Sequence, residues 1–122
     1  MYRATISGDG FKKSIADSSI VYMRAWLVRN MEKMPNNTEF KIYQVGPNGP
    51  DKLAGIVRKY QHTRYAFEDC RRYPKRNIYQ IDKNGNMIGL IGTRNLRTGT
   101  YERSSTNGFG FPYENGKWPN VR

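Results

Sequence analysis

The chain has 122 residues, with 21 Lys and Arg against 10 Asp and Glu, a formal net charge of +11 and a pI near 10.0. One domain of that length can bury a core without disulfides, and 37% hydrophobic with 13% aromatic residues is not the composition of a disordered chain. The single cysteine, Cys70, excludes an intramolecular disulfide and a Cys-rich zinc site.

A spanning helix needs about 20 largely apolar residues. The cleanest run here is Met87 to Gly92, and Arg24 interrupts the other candidate. The opening Met1-Tyr2-Arg3-Ala4-Thr5 lacks an apolar leader, and Tyr2 excludes N-myristoylation. The expectation is a cytoplasmic protein with no membrane association.

In chain order, Tyr2 to Ile6 reads as a strand. Asp17 to Met34 is the clearest helix: Asp17 stands at a capping position, and Ile20, Met23, Leu27, Met31 and Met34 recur at helical spacing. Pro35 and Asn36-Asn37 end it. Thr38 to Val45 and Leu53 to Tyr60 read as strands of a hairpin around the dense turn signal Gly46-Pro47-Asn48-Gly49-Pro50-Asp51. Thr63 to Arg72 is ambiguous between a short helix and an extended segment, and the reading leans to helix. Asn77 to Asp82 and Met87 to Ile91 flank Asn84-Gly85, the strongest hairpin signal in the chain. Tyr101 fits an edge strand. Beyond it Gly, Asn, Ser, Thr and Pro dominate and hydrophobic periodicity fades.

The expected fold class is therefore α+β. One amphipathic helix over about 17–34 packs on an antiparallel sheet built from two hairpins, 38–60 and 77–91, with a second short helix near 63–72. Residues 1–122 form a single domain, and 104–122 read as an irregular or flexible C-terminal extension.

The charge is uneven. Residues 58–76 hold seven cations and two acids, so +5 of the +11 lies in nineteen residues. Arg58, Lys59, Arg64, Arg71, Arg72, Lys75 and Arg76 alternate there with aromatics, of which Tyr65 and Tyr73 are the stacking candidates. Cations that meet phosphates release condensed counterions, and aromatic faces stack on bases. This mixture points to a nucleic-acid partner, RNA or DNA, or a nucleoprotein complex. A second candidate surface is the helix face of Tyr22, Trp26, Arg29 and Lys33, at i, i+4, i+7 and i+11, which suits a larger protein partner.

Asn107-Gly108-Phe109-Gly110-Phe111-Pro112-Tyr113 resembles a fragment of the RNP1 signature of RRM domains, and cold-shock domains carry a similar core. The resemblance implies bases stacking on Phe109 and Phe111, with glycines allowing close approach. The RRM pattern wants Lys or Arg where Asn107 stands, and Pro112 removes a strand donor, so the segment reads as a Gly- and aromatic-rich loop.

The sole histidine, His62, is the weak candidate for acid–base catalysis, with Glu68 or Asp69 as a second proton-transfer group. No P-loop, G-x-G-x-x-G or nucleophile elbow is present, and no metal-ligand spacing stands out, so no cofactor and no metal are expected. Cys70 reads as a small half-buried side chain. The leading function is a non-catalytic nucleic-acid-binding or ribonucleoprotein-binding module acting through phosphates. The alternatives are a phage or mobile-element accessory protein that inhibits a larger host complex, and a His62-dependent ribonuclease.

Overall fold

The computed structural model describes residues 1–61 and 64–104. It opens with β1 (Tyr2–Gly8) and β2 (Phe11–Asp17), followed by α1 (Ile20–Met31). Then come β3 (Glu39–Gln44), β4 (Lys52–Gln61), β5 (Arg64–Asp69), β6 (Lys75–Ile81), β7 (Met87–Asn95) and β8 (Thr100–Arg103). All pair antiparallel in one sheet of order β2-β1-β3-β4-β5-β6-β7-β8. From β3 onward the chain meanders. Helix α1 carries it from the β2 edge past β1 to β3.

The α+β class stands, with corrections. The two expected hairpins are present but do not make the sheet, because β5 joins them into one continuous array. Within the expected helix near 63–72, Arg64–Asp69 instead form strand β5. Tyr65 and Phe67 there face α1, while Ala66 and Glu68 face the other way, and all four are buried. A strand buried on both faces loses the polar–apolar alternation that marks a strand with one face in water. The main helix is also shorter than expected. Ser19 caps it, its hydroxyl accepting from the Tyr22 N–H at 3.2 Å, while Asp17 ends β2 and accepts from the Ser19 N–H at 2.8 Å. β2 follows a tight Asp9-Gly10 turn that the sequence reading passed over, and residues 105–122 lie outside the described part.

The apolar stripe of α1 lies on one face of the sheet. Met23, Leu27, Val28 and Met31 pack on Ala4, Ile6, Ile42, Val57, Tyr65, Phe67 and Ile81. Removing this surface from water is the main stabilising term, at about 25 cal/mol per Å². The Asn84-Gly85 turn closes against the helix. Gly85 holds φ +80°, and a Cβ there would stand 2.5 Å from the Val21 carbonyl oxygen and 2.7 Å from the Ala25 nitrogen. Glycine is needed for both conformation and room. At the other end of α1, the Lys59 ammonium donates to the carbonyls of Glu32 and Met34, at 2.5 and 2.8 Å. It satisfies acceptors that every helix C-terminus leaves open.

No helix or strand among the described residues covers the opposite face. A second, smaller cluster sits there: Tyr60, Ala66, Ile78 and Ile91, with Tyr101 partly buried against it. Burial pushes the Tyr60 phenol up to about 12, so it stays protonated. No described helix is long and apolar enough to cross a membrane.

Candidate nucleic-acid interface

Strand pleating decides which charges share a face, because residues directly opposite across a ladder point the same way. Taking Ala4, Ile42, Val57 and Phe67 as the helix-covered side, the registers send eight strand cations to the other side: Arg3, Lys12, Lys41, Arg58, Arg64, Arg76, Arg94 and Arg103. Among the described residues, two strand carboxylates, Glu39 and Glu68, accompany them. Asp51 reaches in from the β3–β4 loop to pair with Arg3. Among the described residues Lys12 and Lys41 carry no ion pair, and both are exposed. Arg3, Thr5, Glu39, Lys41 and Tyr43 line a depression of about 280 Å³ where β1 meets β3.

The centre of this face is an ionic cluster. Glu68, 1% exposed, accepts from Arg58 Nη1 at 2.8 Å and from Arg76 Nη1 at 3.2 Å, and Arg94 Nε lies 3.4 Å away. Arg58 also donates from Nε to Glu39 at 2.7 Å. Burial by itself would raise the Glu68 carboxyl, but the charge and hydrogen bond of Arg58, the charge of Arg94 and the hydrogen bond of Arg76 outweigh it and hold the group below its ordinary value. Burial likewise opposes the charged Arg58, and Glu68 and Glu39 more than restore it.

The expected cationic stretch divides between three places. Arg58, Arg64 and Arg76 reach the helix-free face. Lys59 and Tyr65 turn towards α1 and are buried, the first on the helix C-terminus and the second in the core. Arg71, Arg72 and Tyr73 occupy the β5–β6 loop, and Lys75 starts β6. Arg71 forks onto Asp69 through Nε and Nη2, at 2.9 and 2.8 Å. Tyr73 is 69% exposed. The β7–β8 turn adjoins this loop, since the Leu96 N–H donates to the Pro74 carbonyl at 2.8 Å, and it brings exposed Arg97 alongside.

Sequence reading missed Arg3, Lys12, Lys41, Arg94 and Arg103. Each lies in a strand whose parity follows from its apolar neighbours, but pairing register is not readable from spacing alone. On the helix, Tyr22, Arg29 and Lys33 are exposed, with Lys33 beyond the helix end, whereas Trp26 is half-buried and packs against the core. Cys70 is half-buried, and burial pushes its thiol up to about 11, which leaves it a poor nucleophile near neutral pH. His62 and the Gly108 to Phe111 segment lie outside the described residues. Among the described residues no three metal-ligating side chains gather. No protein-family model, no curated protein and no solved structure matches the chain.

Proposed function

We propose that the protein is a non-catalytic module that binds nucleic acid, free or within a ribonucleoprotein, by laying its phosphates along the helix-free face of the sheet. One observation carries the reading: eight strand cations against two strand carboxylates share that face. Each cation that meets a phosphate releases counterions, so such a face favours a polyanion whatever its sequence. Tyr73, exposed on a loop that also carries Arg71 and Arg72, supplies a ring on which an unpaired base can stack.

The test separates this face from net charge. Lys12→Glu with Lys41→Glu changes the helix-free face, and Lys13→Glu with Lys33→Glu makes the same charge change elsewhere. Binding of single-stranded RNA and DNA is followed by fluorescence anisotropy across a salt series. The first pair is expected to weaken binding by more than about tenfold at low salt and to flatten the salt slope by roughly one to two units, with the second pair near wild type. Equal losses in both pairs, or no binding by the wild-type protein, overturn the reading.

A further inference from the structure

Arg76 and Arg94 stand directly opposite each other on β6 and β7, an arrangement of like charges that destabilises a ladder unless an anion lies between them. Glu68 is that anion, but it does not satisfy both. Arg76 donates to it from Nη1 and Arg94 Nε only pairs with it at 3.4 Å, while Arg76 Nε and Arg94 Nη2 are buried with no acceptor among the described residues. Burying a charged N–H group without an acceptor is costly, and such orphans in a folded protein ask for an explanation. Arg58 differs, since Glu39 and Glu68 take it from two sides. Three guanidinium groups thus share two carboxylates, and the surplus charge and both orphan donors fall on Arg76 and Arg94.

We propose that Arg76 and Arg94 form a subsite for one phosphate group, with Glu68 as its floor. This rests on the phosphate-binding reading above and sharpens it to one locus. The two side chains are 19% and 23% exposed, while Glu68 is 1% exposed, so the ligand approaches from the solvent side with the carboxylate beneath. Both orphan donors are closed to solvent, so a phosphate reaches them as the two guanidinium planes turn outward about Glu68; it then has enough oxygens to accept from both, and planar guanidinium groups suit it better than ammonium groups would. Glu68 sets the cost, because its negative charge opposes the incoming anion while it gathers the arginines beforehand.

The experiment titrates the folded protein with inorganic phosphate at constant ionic strength, with chloride as the control. It follows the arginine Nε–H signals by NMR. A saturable shift of the Arg76 signal is expected with phosphate and not with chloride. Arg94→Gln should weaken it by at least about tenfold, Arg94→Lys should weaken it less, and Arg97→Gln on the neighbouring turn should leave it unchanged. Displacement of phosphate by an oligonucleotide identifies a polynucleotide phosphate as the occupant. Saturation without displacement keeps the subsite, assigns it to a small phosphate ester and counts against the nucleic-acid reading. No saturable shift in the wild-type protein, or one unaltered by Arg94→Gln, overturns the subsite. In that case salt-dependent nucleic-acid binding sensitive to Lys12 and Lys41 would leave the wider reading standing.

Discussion

The Arg24 Nε donates to the Gly85 carbonyl oxygen at 2.8 Å, across 61 positions of sequence, and locks the β6–β7 turn onto helix α1. The guanidinium also lies over the Phe67 ring, 4.7 Å from its centroid. Burial first, and then the charge of Arg71, lower the pKa of Arg24, only partly offset by Asp69. Such a side chain tolerates burial because its hydrogen bond and ring contact are both in place.

Gly85→Ala should therefore destabilise the fold by about 1–3 kcal/mol, since it places a side chain at positive φ and drives a Cβ into the helix backbone. Arg24→Met keeps the volume but leaves the Gly85 carbonyl without its donor, at a cost of about 1–3 kcal/mol. Urea unfolding followed by circular dichroism measures both. A wild-type midpoint for Gly85→Ala would refute the docking of the turn on the helix.

Glu68→Gln is expected to cost about 3–5 kcal/mol, because it strips the shared counter-ion from Arg58, Arg76 and Arg94. The same group sets an acid limit. Its folded pKa lies below the unfolded one, so its contribution is complete above the unfolded value and is lost as pH falls through the folded value. Asp69 adds to the trend, its burial opposed and outweighed by the hydrogen bonds and charge of Arg71. The urea midpoint should hold from neutral pH to about 5 and fall below about 4, with a shallower fall in Glu68→Gln. A steeper fall in the variant would contradict this account.

Phe67→Ala should destabilise by about 3–5 kcal/mol, since the ring is fully buried under α1 and a cavity would remain. The value also checks strand β5, because a short surface helix at this position would not bury Phe67. A loss under about 1 kcal/mol would argue against the central placement of this strand.

Tyr73→Ala should leave the unfolding midpoint within about 0.5 kcal/mol of wild type, as expected for an exposed loop side chain. Affinity for single-stranded nucleic acid should fall by about 1–3 kcal/mol if the ring stacks on a base. Unchanged affinity would remove Tyr73 from the interface and leave the cationic face to account for binding.

The legible parts of this fold are those with strong local signals. Met23, Leu27 and Met31 announce α1 by spacing, and Asn84-Gly85 announces the β6–β7 hairpin. Strand β5 was obscured because Tyr65, Ala66, Phe67 and Glu68 are all buried, so burial carries no period there. Strand β2 was obscured for the opposite reason: Phe11, Lys12, Lys13 and Ser14 are all exposed on a sheet edge. The candidate site divides along the same line. Charge density in 58–76 located Arg58 and Arg76, yet adjacency joined them to Lys59, which points the other way. Arg94 is 18 positions from Arg76 and meets it only through cross-strand register, which is a property of two strands together.

The eight-stranded sheet also acts as a ruler. Strands about 4.8 Å apart make it roughly 34 Å from β2 to β8 along the hydrogen-bonding direction. Phosphates along one strand of duplex DNA recur about every 3.4 Å along the axis, so a duplex lying across the whole sheet would need roughly ten base pairs. On the proposed reading, shortening an oligonucleotide below that length would strand the outermost cations, Lys12 at one margin and Arg103 at the other. The width of the fold would then set the smallest nucleic acid that it holds at full strength.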